Sequence, residues 1–474
     1  MTLSAYKFGG FLFYPVDNAR QAENIGQIAG NLIQKIDNLS LFLEKISSRY
    51  LFALAAPEEI KFNGSAIRRL IQIAADTRAG MVYCDYFIKL REKLIYRPLI
   101  EYQPGSIRDD FHFGHVLLYS APAVRSALQK LGPLPLDEQG ALYDLRLKIS
   151  IDHPIVHLPE ALYTIGRRRA KPIPKNQGIP EKQFAYVAAK NRNQQKILEK
   201  AATDYLKLIG AYLKVRTKEL PTDKVSYPVT ASVIIPVLNR KKTIAEAIKS
   251  ALNQETDFDY NIIVIDNHST DGTGAIVEKL ATRHPEIEHL IPSSFDLNIG
   301  GCWNEAIYSP YCGRYSVQLD SDDLYSSPYI LQKIVDTLRK GKYAMVVGSY
   351  TIVNERLEKI PPGLIDHREW TKANGHNNAL RISGLGAPRS FSTSVLRKIG
   401  FPNVGYGEDY AVALRITREY KIGRIYDSLY LCRRWSDNTD AALSVKKQNR
   451  NDFYKDKLRT LEIRTRQLLN KKET

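Results

Sequence analysis

The chain has 474 residues, 44% hydrophobic and 25% charged, with 68 basic against 51 acidic side chains and a formal net charge of +17. That length exceeds one ordinary core and implies two or three domains, while no run approaches the roughly 18 apolar residues of a membrane span. Four cysteines (Cys84, Cys302, Cys312, Cys432) form neither a C-x-x-C pair nor a disulfide framework, which fits free thiols in a reducing cytoplasm.

The N-terminal "MTLSAYKFGGFLFYPVDNARQ" has one Lys, an apolar patch broken by Gly9, Gly10 and Pro15, and no small-residue cleavage site, so no signal peptide is expected. "RYLFALAAPEEI" (49–60) opens as an apolar strand. From residue 166, "GRRRAKPIPKNQGIP" is a loop rich in Pro, Gly and charge. The following stretch lacks Pro and spaces Ile197, Ala201, Tyr205, Leu208 and Tyr212 helically, which predicts a long connecting helix closed by "PTDKVSYP". A new domain then begins at Thr230.

Alternation follows. "SVIIPVL" (232–238) and "YNIIVIDN" (260–267) are continuous β-branched strands of the buried, parallel kind. "KKTIAEAIKSALNQ" (241–254) and "DGTGAIVEKLATRH" (271–284) are the helices after them. The pattern predicts an α/β domain whose ligand sits beyond the carboxyl ends of the strands. Polar residues gather at those ends: Asn239 and Arg240, then Asp266, Asn267 and Ser269, and later Asp320 to Asp323 in "RYSVQLDSDDLY" (314–325).

The halves look alike. Residues 49–90 and 314–354 share R-Y, an apolar strand, a helix, and then "MVYCDY" against "MVVGSY". "ALYDLRLKIS" and "EALYTIGRRR" parallel "YGEDYAVALRI" and "SLYLCRRW". On this frame Ala55 and Pro57 stand where Asp320 and Asp322 would be, and Asp144 aligns with Asp409. The first copy is expected to be truncated, without the first strands of the second copy and without its clustered carboxylates. A separate domain whose similarity is accidental is the alternative for this half.

The D-x-D pair Asp320 and Asp322 suits Mn²⁺ or Mg²⁺, which takes one or two carboxylates and completes its shell with water and phosphate oxygens. A solvated turn or a helix cap would use the same residues. The ordered set "SVIIPVLNR", "IVIDNHSTDGT", "NIGGCWNEAI", "VQLDSDD" and "YGEDYAVALR" resembles family 2 glycosyltransferases over residues 230–440.

That resemblance implies a GT-A fold, Rossmann-like with a mostly parallel sheet, and a nucleoside-diphosphate sugar as donor, expected to be a UDP-sugar. It assigns donor contacts to Pro236, Val237, Asn239, Arg240 and Asp266, with Asn267 where a second Asp is usual. Asn298, Gly301 and Asn304 would line the donor pocket, and Ser321 would lie beside the metal carboxylates. Asp409 would be the general base, with Glu408 beside it, and attack opposite the leaving group would invert the anomeric carbon. Arg433 or Arg434 would hold the diphosphate, with an exposed basic loop as the alternative, and Trp435 would either stack on an acceptor sugar or merely pack. Leu431 replaces the Gln of the processive Q-x-x-R-W pattern, which argues against a polymer-extruding synthase.

The expected domains are a degenerate GT-A-like or acceptor-binding domain at 1–168, a linker and connecting helix at 169–228, the catalytic domain at 229–440, and a basic helix at 441–474. The expected reaction is metal-dependent, inverting sugar transfer to a glycan or lipid-linked acceptor in polysaccharide biosynthesis. The competing readings are a sugar-nucleotide-binding pseudoenzyme and a basic membrane-associated scaffold. Without zinc-finger spacing or an RNP-type motif, nucleic acid is not an expected partner. The charge instead favours peripheral contact with an anionic membrane from the cytoplasmic side.

Overall fold

The computed structural model describes residues 4–22, 25, 33–55, 59–166, 191–215, 217–221, 226–382, 384–434 and 443–472. The chain divides into two compact units. Unit 1 comprises residues 1–177, 193–212 and 443–474, and unit 2 chiefly residues 213–442. No helix among the described residues is long and apolar enough to cross a membrane.

Among the described residues, unit 1 contains nine strands: β1 (Ala5–Phe8), β2 (Phe11–Val16), β3 (Ile33–Lys35), β4 (Tyr50–Ala55), β5 (Glu59–Phe62), β6 (Met81–Leu90), β7 (Lys93–Arg97), β8 (Val116–Ser120) and β9 (Ile155–Gly166). Unit 2 contains β10 (Ala231–Val237), β11 (Tyr260–Asp266), β12 (Ile287–Leu290), β13 (Tyr315–Gln318), β14 (Leu324–Tyr325), β15 (Met345–Val353), β16 (Lys359–Ile365), β17 (Arg389–Ser392) and β18 (Ile422–Arg433). From one edge, the first sheet reads β3-β1-β2-β4-β8-β6-β9-β5 with β7 on β6. The second reads β12-β11-β10-β13-β17-β15-β18-β14 with β16 on β15. In chain order the two sheets agree except that the first two strands exchange places, β1 lying where β11 lies and β2 where β10 lies.

In unit 2 the half β12-β11-β10-β13 is wholly parallel, and antiparallel pairings enter from β17 onward. Val233, Ile234 and Ile235 are fully buried in β10, as are Ile262 to Ile265 in β11. Helices cover both faces of such strands, so a continuous apolar run is what they require. The expected helices appear as Ile244–Leu252 and Thr273–Ala281.

Unit 1 corrects one expectation. Its first strands are not missing. β1, β2 and β3 occupy the sheet positions of β11, β10 and β12, but β2 runs antiparallel to both β1 and β4. Gly9, with φ of 55°, and Gly10 turn β1 straight into β2. Parallel neighbours need a crossover of a dozen or more residues, whereas a hairpin needs about two. The shorter chain therefore reflects replacement of crossovers by a hairpin, which also reverses the end at which a loop leaves the strand.

The connecting helix spans Arg192–Leu208 and, like the C-terminal helix Val445–Lys471, belongs to unit 1. The C-terminal helix docks through polar groups rather than an apolar stripe. Its fully buried Asp456 accepts from Ser106 Oγ at 3.0 Å, Arg108 Nε at 3.1 Å and Arg459 Nη1 at 2.8 Å. Gly105 permits the approach, since a Cβ there would meet the Asp456 carbonyl oxygen at 1.9 Å. Asp456→Ala leaves two buried guanidinium groups without their shared carboxylate. It is expected to lower unfolding free energy by about 3–5 kcal/mol, read by chemical denaturation.

Candidate functional site

The strand-end loops of unit 2 are built by reciprocal hydrogen bonds. Asn239 adopts φ of 54°, a left-handed conformation that Asn tolerates. Its backbone N–H donates to Ser269 Oγ at 2.9 Å, and its side-chain oxygen accepts from the Thr270 N–H at 2.8 Å. The Arg240 N–H donates to Thr273 Oγ1 at 2.8 Å, and the Asn267 N–H to the Val237 carbonyl at 2.9 Å. The loops after β10 and β11 thus form one clamped rim. Leu238, 49% exposed between buried Val237 and Asn239, gives that rim an apolar surface that the sequence reading did not single out.

Asp266 lies beneath the rim, where it accepts from the Ser269 N–H at 2.9 Å and faces His289 Nε2 at 3.8 Å. Its neighbour Asn267 donates through Nδ2 to the Leu297 carbonyl at 2.9 Å, and its Oδ1 is buried without a hydrogen-bond partner. Pro236 and Val237 lie within β10, and the Val237 side chain is in the core.

The carboxylate cluster follows β13. Asp320 donates its N–H to the Tyr430 hydroxyl at 2.6 Å, and its Oδ1 accepts from Gln318 Nε2 at 2.9 Å. Asp322 faces Arg240 Nε at 3.7 Å, so the cluster adjoins the clamped rim. Burial, and then the charge of Asp320, raises the Asp322 carboxyl above its usual range. Asp323 is pushed up further by burial and then by both other aspartates, while accepting the Arg433 N–H at 2.8 Å. Ser321 is buried between them.

Asp322 and Asp323, held from ionising by burial and neighbouring charge, make the cluster a setting a cation stabilises. Among the described residues no three His, Cys, Asp or Glu side chains form a ready-made metal cage. Two carboxylates completed by ligand oxygens fit the manner in which Mg²⁺ or Mn²⁺ is usually held.

The glycine-rich segment builds the opposite wall. Asn298 caps the helix Ile299–Tyr308 and donates its N–H to Asn403 Oδ1 at 2.7 Å. A Cβ at Gly300 would lie 1.9 Å from the Pro402 carbonyl oxygen, and one at Gly301 would lie 2.7 Å from Asn403 Oδ1. Asn304 clamps Phe401 from both ends of its amide, each at 2.8 Å. These residues together seat the 401–407 loop that delivers Glu408 and Asp409.

Glu408 and Asp409 occupy the first turn of the helix Glu408–Glu419. Glu408 is 7% exposed, and its carboxyl is pushed up to about 8 by burial and then by the charge of Asp409. Asp409 Oδ2 lies 2.5 Å from Arg389 Nη1. Glu408 therefore keeps its proton at neutral pH, beside a second carboxylate, Asp409, that faces a guanidinium. Asp320 is near enough for its charge to act on Glu408.

Arg433 and Arg434 diverge. Arg433 is buried and pairs with Glu246 on the helix Ile244–Leu252. Arg434 donates its N–H to the Val353 carbonyl at 2.8 Å and lines a cavity of about 320 Å³ with Asn354, Glu355, Arg356 and Glu358. Trp435 and Pro57 lie outside the described residues.

The strand pairings also correct the register between the copies. Tyr50 pairs with Ser120 as Tyr315 pairs with Ser392, which places Ala55 opposite Asp320 as expected. Met81 pairs with Ile155 as Met345 pairs with Ile422, and His153 caps on Ile149 as Tyr420 caps on Ile416. That offset of 267 residues puts Leu142, not Asp144, at the position of Asp409. Asp144 instead pairs with Lys148 at 2.8 Å.

Residues 232–400 match the family described as Glycosyl transferase family 2. Putative glycosyltransferase EpsE of Bacillus subtilis is 34% identical over 122 residues, 26% of this chain and 43% of that one. Poly(ribitol-phosphate) beta-glucosyltransferase of Bacillus spizizenii is 25% identical over 221 residues, 44% of this chain and 33% of that one. The chain thus spans less than half the length of either relative. The S. aureus TarS 1–349 structure in complex with UDP aligns at 20% identity and a TM-score of 0.37, covering 49% of this chain and 65% of that one. Residues 232–400, which carry the clamped rim, the glycine-rich segment and the carboxylate cluster, are thus the part of the chain that matches glycosyl transferase family 2.

Proposed function

We propose that unit 2 transfers a sugar from a nucleoside-diphosphate sugar to a hydroxyl acceptor, inverting the anomeric carbon, and that unit 1 is a non-catalytic copy. The supporting observation is the convergence of the Asp320–Asp322 cluster with Arg240 on one side and, through its charge, with Glu408 on the other. In this reading the clamped rim receives the nucleoside, with Leu238 beneath a planar base and the unpartnered Asn267 Oδ1 as an acceptor for it. Asp320 and Asp322 would hold Mn²⁺ or Mg²⁺, which when bound neutralises charge on a departing diphosphate. Arg240 and Arg434 would add fixed positive charge for the phosphates. Asp409 takes the acceptor's hydroxyl proton as that oxygen attacks.

We further infer a UDP-sugar donor and a surface-polymer or lipid-linked acceptor. The relatives named for poly(ribitol-phosphate) and for GalNAc(5)-diNAcBac-PP-undecaprenol support the acceptor class. A lipid-linked acceptor would bring this +17 chain against an anionic membrane face, and the proposed setting is the cytoplasmic side.

The test is release of nucleoside diphosphate from UDP-glucose, UDP-GlcNAc, UDP-galactose and GDP-mannose by the full chain with Mn²⁺. Turnover of one donor above the others supports the reading, and no release from any of them contradicts it.

A further inference from the structure

We infer that Gln318 and Arg389 are positioning residues, joining the carboxylate Asp320 to the base Asp409 in one hydrogen-bonded line that separates the active unit from its inactive copy. The inference rests on the transferase reading above. Each link is direct. Gln318 Nε2 donates to Asp320 Oδ1 at 2.9 Å, and Gln318 Oε1 accepts the Arg389 backbone N–H at 3.0 Å. Arg389 Nη1 then meets Asp409 Oδ2 at 2.5 Å and the Gly386 carbonyl at 3.2 Å.

The residue types suit the task. A side-chain amide donates at one end and accepts at the other, so Gln can bridge a carboxylate and a backbone N–H where an acid or a hydrocarbon cannot. A guanidinium is planar and always charged, so it fixes both the direction and the ionisation of the carboxylate it faces. Gln318 is buried and Arg389 largely so, which limits both to one arrangement. The carboxylates at the end of β13 and the base on the helix Glu408–Glu419 belong to elements with no covalent reason to keep a fixed separation. The line through the β13–β17 pairing supplies one.

Unit 1 serves as an internal control. The registers already established place Ala53 at Gln318, Ala55 at Asp320, Leu117 at Arg389 and Leu142 at Asp409. All four polar members are replaced by apolar ones. The framework around them persists, with Tyr50 for Tyr315, Ser120 for Ser392, Met81 for Met345 and Ile155 for Ile422. The arrangement β4-β8-β6-β9-β5, which matches β13-β17-β15-β18-β14, therefore forms without the line, so folding does not demand it. Losing one member alone would strand a charge or an amide in partly buried surroundings, which explains why the line is present whole or absent whole.

The test is steady-state nucleoside-diphosphate release by the full chain, using the same four donors and Mn²⁺, with R389A, R389K and Q318L beside wild type. A misplaced base costs rate rather than donor affinity, so R389A is expected to lose about 100-fold in kcat with donor KM within about threefold. R389K should recover part of that loss, and added guanidinium ion should partly restore R389A. Q318L should lose about tenfold in kcat. Variants at wild-type kcat, or a loss confined to KM, would overturn the inference while leaving the transferase reading intact. If wild type releases nothing from any donor, both fall. If R389A does not fold, as read by circular dichroism, the kcat of R389K and Q318L decides.

Discussion

Asp409→Asn should lower kcat for sugar transfer by roughly 10²–10⁴-fold, the usual worth of a positioned general base, with donor affinity nearly unchanged. The substitution preserves shape and leaves an oxygen to accept the Tyr410 N–H, now 2.7 Å from Asp409 Oδ1, while it removes both the basicity and the carboxylate oxygen that faces Arg389. Glu408→Gln is the informative companion. With its carboxyl pushed up to about 8 by burial and then by Asp409, Glu408 is neutral at pH 7, and an amide resembles that neutral acid closely. A fall of less than about tenfold is therefore expected for Glu408→Gln. Parallel pH–rate profiles of the two variants check the assignment. Equal losses would mean that the pair acts as one unit, or that the roles are exchanged.

The second large effect concerns Asp322. Burial and the charge of Asp320 already oppose its ionisation, so Asp322→Ala relieves repulsion in the ligand-free protein. Its apparent melting temperature should stay level or rise, whereas most buried substitutions lower it by destabilising the fold by about 1 kcal/mol or more. The same variant should lose metal-dependent stabilisation by nucleoside diphosphate, which for wild type amounts to about 2.7 kcal/mol at a hundredfold excess over Kd. Differential scanning fluorimetry with Mn²⁺ and with EDTA reads both quantities. A Tm drop with retained nucleotide response would make Asp322 a structural residue.

The parallel half of unit 2 was legible because β10 and β11 are buried on both faces. A continuous β-branched run can mean little else at that length, and strands expected at 232–238 and 260–267 occur at Ala231–Val237 and Tyr260–Asp266. The copy in unit 1 was legible from "MVYCDY" and "MVVGSY" for the same reason, since β6 and β15 sit at the same central place in their sheets. The hairpin in unit 1 was not read, although Gly9 and Gly10 between apolar runs are a hairpin signal. Expecting parallel strands there turned a shorter chain into missing strands.

Asp144 was aligned by motif resemblance, but a helix repeats its faces every three to four residues, so sequence similarity leaves its register loose where strand pairing does not. The Arg389–Asp409 contact had no local signature at all. It joins β17 to a helix start across a turn of chain, and "GAPRSF" reads as an ordinary loop entering a strand. Asn304 matched a motif position, and its amide is engaged with the Phe401 backbone. A shared motif thus tells which residues recur, while their hydrogen bonds tell what each one supports.

The most direct test of nucleotide-sugar chemistry in unit 2 is calorimetric titration of the full chain with UDP, GDP, CDP and dTDP, each in Mn²⁺ and in EDTA. The account predicts that UDP binds in Mn²⁺, and that EDTA and Asp322→Ala each abolish the binding. No binding by any nucleotide, or UDP binding that survives both EDTA and Asp322→Ala, would contradict it.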